Sequence, residues 1–461
     1  MKPEISGFAG PVLTPSDEGY DEARRIWNGA IDRMPGLIAR CTGTADVLAA
    51  VRFARERGLL VAIRGGGHNV AGTALCDGGL VVDLSLMRAV HVDPARRVAR
   101  AQAGALWGDF DHETLAFQLA TTGGIVTHTG IAGLTLGGGI GWLMRKHGLT
   151  ADNLLSADIV TAHAEFRRAG EDDDPELLWA LRGGGGNFGV VTSFRYRLHP
   201  IGRQVLAGPV FWDMAETPGV LRMYRDLVSA APDELTTVVS LRKAAPLPVI
   251  PVELHGRKVC AVIVCWAGDS GAGERFLRQL RSYGSPLLDL IAPRPYAALQ
   301  SMFNPTVPHG WHYYWKSTEL DALKDDAIDV IAEHALRIDS PRSFALIFQL
   351  GGAVGRVPED ATAYSHRQAA HNLNINGVCL PDEGVSVAAR ERAWTRDFFA
   401  AMEPHQSGVY VNFLGDEGIE RVRSAYGERT FGRLVALKTR YDPDNFFRVN
   451  QNIPPGAGTS P

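Results

Sequence analysis

Three consecutive glycines end an apolar run in "VAIRGGGHNVAG" (Val61 to Gly72) and are followed at once by an imidazole, His68, and an amide, Asn69. Glycine lacks a Cβ, so it permits positive φ and lets the backbone approach a bulky partner closely. Successive N–H groups in such a loop form a concavity for an anion. Two further clusters follow, "GIAGLTLGGGIGW" (Gly130 to Trp142) and "LRGGGGNFGVVT" (Leu181 to Thr192). Tight turns account for one such cluster. Three of them point to one large anionic ligand, and a diphosphate has the right size and charge.

Several nucleotide designs are excluded. No G-K-[ST] is present, which removes the P-loop. "GGGNFG" (Gly184 to Gly189) satisfies G-x-G-x-x-G, but a helix, "ELLWALR", precedes it and a strand, "VVTSFRYRL", follows. A Rossmann site needs the opposite order. The 14 histidines show no H-E-x-x-H or facial-triad spacing, so no metal is expected. "EDDDPE" (Glu171 to Glu176) lacks the ligand alternation of an EF-hand and is read as a solvated turn capping the next helix. A net charge of -4 without a long basic block argues against a nucleic-acid partner. The 5 cysteines are scattered, with no C-x-x-C, and are expected reduced and mostly buried. The longest apolar runs are strand-sized, so no membrane span is expected. The start lacks a secretory h-region, which makes the cytoplasm the expected location.

Helices and strands must hold these loops in place. "TADVLAAVRFARERG" has helical periodicity, "LLVAIR" is a strand leading into the first glycines, and "GGLVVDLS" is another strand. From about Val205 the pattern changes to longer alternating strands, "TTVVSLRKA", "KVCAVIVCWAG" and "SFALIFQLGGAVG", separated by helices such as "GERFLRQLRSYG". Near Pro404 the chain turns again, through "GVYVNFLGDEG" and a long helix, to "YDPDNFFRVNQNIPP". The expected fold class is α+β, with a second domain built on an antiparallel sheet covered by helices.

Taken in order, "RGGGHNVAG", "GIAGLTLGGGIGW", "DNLLSADIVTA", "LRGGGGNFGVVT" and "YDPDNFFRVNQNIPP" resemble the berberine-bridge-enzyme-like branch of the vanillyl-alcohol-oxidase flavoprotein superfamily, across nearly the whole chain. The resemblance implies a discontinuous FAD-binding domain of the PCMH type, residues 1–204 and 405–461, interrupted by a substrate domain at 205–404. It implies that Arg64, Gly65, Gly66, Gly67, His68 and Asn69, with Gly72, wrap the FAD diphosphate region. A ring nitrogen of His68 is then bonded to the 8α-methyl of the isoalloxazine, and a neutral imidazole is a competent nucleophile for that bond. Many relatives add a cysteine link in a G-x-C-P-x-x-G loop. The equivalent "GIVTHTG" has Val126 there, so a single attachment is expected. By match, Thr129, Gly130, Gly133, Leu134 and Thr135 line flavin and diphosphate, as do Gly138, Gly139 and Gly141. Asn187, Gly189 and Val191 contact another part of the cofactor, and Asn450 and Gln451 reach the ring from the C-terminal return.

The resemblance places Thr129 on the N5 side of the flavin, where it helps govern dioxygen access. Tyr410 in "GVYVNF" is implied as the base, on a strand above the ring. The family pattern is often Y-x-N-Y, and Phe413 stands at its last place, which leaves Tyr410 as base or as wall. A free phenol has a pKa of about 10, so a basic role needs a cationic neighbour or the flavin's own field. His128 donates to substrate or flavin, or is structural. "HGWHYYWKS" reads as a strand, so alternate members of the set His309, Trp311, His312, Tyr313, Tyr314 and Trp315, with Trp311, Tyr313 and Tyr314 foremost, face a flat, apolar or polyketide-like substrate, and Gln349 and Asn412 add polar contacts. The implied function is an FAD-dependent oxidase that passes a hydride from an alcohol, sugar, amine or secondary metabolite to flavin and then to O2, giving H2O2. Two alternatives stand beside it: an oxygen-inserting or oxidative-cyclising enzyme of secondary metabolism, and a non-catalytic flavin-binding protein.

Overall fold

The computed structural model describes residues 3–456. The chain begins with a four-stranded sheet in which Leu37–Arg40, Leu80–Asp83 and Val61–Arg64 run parallel and Val12–Leu13 lies antiparallel at the edge. The helix Thr44–Glu56 supplies the crossover. Its Val47, Ala50, Val51 and Ala54 are buried, whereas Arg52 and Glu56 face outward, as an apolar stripe with helical spacing requires. A five-stranded antiparallel sheet follows, ordered Val90–Asp93, Val98–Gln102, Val190–Arg197, Leu154–Val160, Phe166–Gly170. The acidic turn behaves as its sequence suggests: Asp174 accepts from Leu177 N at 3.1 Å and caps the helix Pro175–Leu181.

An eight-stranded antiparallel sheet dominates the middle of the chain. Its central order is Val205–Asp213, Lys258–Trp266, Leu235–Lys243, Phe344–Gln349, His371–Cys379, His312–Leu320. Lys258–Trp266 is buried almost throughout because both sheet faces are covered. On one face lie the helices Thr217–Ser229, Asp325–Leu336 and Val385–Ala401, with Tyr224, Ile328, Ile331 and Phe398 packed on Leu241, Val262 and Ile347. The other face packs against the first half of the chain, where Ile140, Trp142 and Met144 meet Val238, Ile263 and Leu346. Thus one apolar layer joins the glycine-loop half to the sheet.

Past the sheet, Tyr410 is not on a strand. Its backbone is extended, but a single 3-10 turn, Val411–Phe413, follows at once. Asn412 makes that turn useful: its Nδ2 donates to Leu134 O at 3.0 Å, a bond that a straight strand would misdirect. The terminal helix Ile419–Tyr441 breaks at Gly427, where φ is 68°. No helix among the described residues is long and apolar enough to cross a membrane.

Candidate active site

A cavity of about 330 Å³ runs between the glycine loops and the inner face of the eight-stranded sheet. Strand Val61–Arg64 delivers Gly65, Gly66 and Gly67 to its wall, next to Gly130. The two loops press together so closely that a Cβ on Gly66 would sit 2.4 Å from Gly130 Cα. Only bare backbone fits there. Gly133 and Gly186 instead face the cavity, and a Cβ on either would meet no atom within 4 Å.

His68 stands at the junction of the two halves. Its ring stacks on Trp27, centroids 4.3 Å apart, and Trp27 stacks in turn on Tyr313 at 3.8 Å. Its Nε2 lies 3.1 Å from His128 Nδ1, and His128 packs against His309 at 4.8 Å. Burial, then the His128 and His309 rings, holds His68 well below the usual imidazole range. His128 is pushed down to about 4 by burial and by His309. Both rings are therefore neutral at pH 7, and the bond to His128 occupies Nε2 of His68. His128 does not itself line the cavity; it reaches the site through His68.

The opposite wall is aromatic. Trp315, Phe344, Phe348 and Phe413 line it with Tyr410, which packs on Phe413 and whose hydroxyl oxygen accepts from Gly139 N at 2.9 Å and from Asn412 Nδ2 at 3.0 Å. Both donors favour the phenolate, but burial outweighs them and pushes the phenol up to about 12. No cationic side chain is among the groups acting on it, and the buried Glu319 raises it further.

The cavity gathers many of the residues the sequence singles out: Gly65 to Asn69, Thr129, Gly130, Gly133 and Leu134 on one side, Asn187, Gly189, Val191, Asn450 and Gln451 on another, with Tyr410 and Asn412 above. Asn187 is a clasp as well as a wall, because its Nδ2 donates to Gly184 O and Gln451 O and its Oδ1 accepts from Ile453 N.

Other expected contacts are corrected. Arg64 turns away, donating to Ala23 O with its Nε 4.0 Å from Asp83. Gly72 is a packing glycine with φ 73°, crowded by Ile31. Thr135 points into the core, where its hydroxyl meets Ile131 O and Tyr196. Gly138, Gly139 and Gly141 lie behind the wall, the first two at positive φ and the last against Gly123 O. Among the expected substrate contacts, Trp311 lies under Arg342, and Tyr313 is shielded by Trp27. Tyr314 faces the helix layer, where Arg396 donates to its hydroxyl. Gln349 also faces that layer and accepts from Thr237. Of the aromatic strand members the sequence singles out, Trp315 is the one that lines the cavity; the sequence reading missed Trp27, Phe344, Phe348, Asn374 and Asn376, which line it too.

The residues present fit FAD. Bare backbone opens onto the cavity at Gly133 and Gly186, and the buried Asn450 Oδ1 has no partner among the described residues. This fold and site define an FAD-linked oxidoreductase. Residues 35–170 match the family model described as FAD binding domain, and residues 409–454 match that described as berberine and berberine like. The chain belongs to the berberine-bridge-enzyme-like FAD-linked oxidoreductases. It is 32% identical to an FAD-linked oxidoreductase of Dictyostelium discoideum over 95% of this chain and 93% of that one. It is also 32% identical to (R)-6-hydroxynicotine oxidase of Paenarthrobacter nicotinovorans over 97% of each. The crystal structure of 6-hydroxy-D-nicotine oxidase from Arthrobacter nicotinovorans superposes with a TM-score of 0.88 at 31% identity, covering 98% of this chain and 99% of that one.

Proposed function

We propose that the protein is an oxidase whose FAD is attached through His68 alone, and that it takes a hydride from a small organic substrate and returns the electrons to O2 as H2O2. The carrying observation is the His68 ring itself: neutral, stacked on Trp27, set at the wall where the two halves meet, with Nε2 held by His128 so that Nδ1 is the nitrogen left for the bond. Val126 lines the cavity and no cysteine does, which supports a single attachment. The FAD-binding unit in this reading is residues 1–204 and 405–461, with 205–404 inserted as the substrate unit. The two family matches, one on either side of the large sheet, support that division.

When bound, FAD supplies the hydride acceptor and the route to O2. The chain supplies the rest. Gly65 to Asn69, Gly130, Gly133 and Gly186 offer backbone to the diphosphate, while Asn450 and Gln451 close the C-terminal side. Thr129 stands in the wall, and as a small polar group it would leave dioxygen a way to the redox ring. Tyr410 holds its proton toward the substrate, since Gly139 N and Asn412 Nδ2, the groups that bond its oxygen, are both donors. Five free, buried cysteines suit a reducing compartment such as the cytoplasm.

The test is His68→Ala. Acid precipitation should leave the parent's yellow colour in the pellet and release the variant's into the supernatant. A colourless parent pellet refutes the attachment. Peroxide formed in proportion to substrate consumed supports the oxidase; substrate consumed without peroxide, with oxygen entering the product, favours the oxygen-inserting alternative.

A further inference from the structure

The strand "HNLNINGVC" (His371–Cys379) carries asparagine at every second position, and Asn372, Asn374 and Asn376 therefore share one face. That face is the cavity face: across the register, Asn376 pairs with Trp315 and Phe344, and Asn374 with Ser317 and Leu346. Asparagine is depleted in strands, and a buried amide without partners is costly. Two of the three have local employment. Asn376 Nδ2 donates to Asn374 O at 3.2 Å and to Asn374 Oδ1 at 2.8 Å. Asn372 accepts from Ser317 with its Oδ1 and lies opposite Glu319; its Nδ2 and Glu319 Oε2 are buried without partners among the described residues, but neither residue lines the cavity.

Asn374 differs. The backbone carbonyl it shares with Asn376 fixes the Asn376 amide with its nitrogen inward, so Asn374 must present oxygen to Asn376. Its own Nδ2 is then aimed elsewhere, and that nitrogen is buried with no hydrogen-bond partner among the described residues. The residue is 3% exposed and lines the cavity. Leaving such a donor unmade costs about 1–3 kcal/mol. Around it the lining is Trp315, Phe344, Leu346, Phe348 and Phe413, and no Asp, Glu, Lys or Arg lines the cavity among the described residues. Asn412, another amide beside these aromatic rings, has its nitrogen spent on Leu134 and Tyr410.

We infer that Asn374 is the specificity-determining contact of the substrate half, and that the substrate is an uncharged, flat, mainly apolar molecule presenting a carbonyl or similar acceptor oxygen to its amide. The inference rests on the oxidase reading above and narrows its substrate class. A charged amine or carboxylate finds no counter-ion on this wall and loses its hydration there. A sugar with many hydroxyls finds too few polar partners.

The test uses holoenzyme and three compounds of one shape: 1-tetralone, with a carbonyl; tetralin, without it; and 1-aminotetralin, a cation at pH 7. Binding is read from the perturbed visible spectrum of the flavin. Parent protein should bind 1-tetralone about three- to tenfold more tightly than tetralin, and 1-aminotetralin more than about a hundredfold more weakly than 1-tetralone. Asn374→Leu should erase the preference for the carbonyl. Asn374→Asp, nearly isosteric, should gain affinity for the ammonium, and it decides the matter if the leucine variant fails to hold flavin. Equal binding of tetralone and tetralin by the parent, or an unchanged preference in Asn374→Leu, overturns the inference while leaving the oxidase reading intact. Parent protein that carries no flavin overturns both.

Discussion

Lys438 should be far more expensive to remove than an exposed cation. Its ammonium is wholly buried, on the terminal helix, and makes three bonds: to Asp442 Oδ2 at 2.6 Å, to Asn187 O at 2.9 Å and to Phe447 O at 2.9 Å. Those carbonyls belong to the third glycine loop and to the C-terminal return, so one ammonium ties together two walls of the cavity. Lys438→Met preserves the length of the side chain and removes the charge. Asp442 keeps its donors Phe446 N and Phe447 N but loses its counter-ion, and two carbonyls lose a donor. Breaking a buried pair from one side costs about 3–5 kcal/mol. With an unfolding entropy of ~2.1 cal/mol/K per residue, unfolding of the whole chain has an entropy of ~1 kcal/mol/K, so Tm should fall by about 3–5 °C. The exposed pair Arg337–Glu333, at 2.5 Å, is the control: Arg337→Met should cost at most about 1 kcal/mol. Thermal unfolding followed by circular dichroism measures both. If Lys438→Met melts no lower than Arg337→Met, the argument that this ammonium joins the two walls is wrong.

Two more outcomes follow from buried groups. Burial raises the Glu319 carboxyl to about 8, above its unfolded value of about 4.5, so the stability it contributes is complete below pH 4.5 and is lost as pH rises through 8. The parent should lose about 1.4 kcal/mol per pH unit across that window from this group, and Glu319→Gln should flatten the slope in melts run from pH 5 to pH 8; parallel curves for the two proteins would contradict it. Tyr410→Phe should slow anaerobic bleaching of the flavin by substrate about a hundredfold or more while leaving the binding of substrate nearly unchanged, read by stopped-flow absorbance, and an unaltered bleaching rate removes Tyr410 from the chemistry.

The glycine clusters were legible because glycine is a statement about backbone, and backbone is what a diphosphate touches. The long strands were legible from their alternation. What the sequence withheld was phase. Whether Tyr314 or Trp315 faces the cavity depends on a contact 285 residues away, where Asn28 clamps both the N–H and the carbonyl of Tyr313. Gln349 was misplaced for the same reason: in Phe344–Gln349 the residues at 344, 346 and 348 face the cavity and Gln349 does not. The glycines at 138, 139 and 141 look identical in sequence to those that face a ligand, but they serve close packing against Tyr364, Thr150 and Gly123. Asn374 did leave a signal. Asparagine at every second position of an otherwise apolar strand marks a buried polar stripe, which packing alone does not ask for.

The cavity wall, finally, holds its ionisable groups in their neutral forms: His68 is lowered by burial, and Tyr410 and the Glu319 behind it are raised by the same cause. Hydride removal from a C–H bond next to oxygen or nitrogen leaves a proton to be disposed of, and a neutral phenol does not take one. The two donors on the Tyr410 oxygen already favour its anion, so the missing ingredient is opposite charge. The wall itself has none to give. In the proposed reaction Tyr410 would therefore enter as a hydrogen-bond donor and turn into a base only when positive charge develops on the substrate above it, which would couple proton removal to hydride departure rather than precede it.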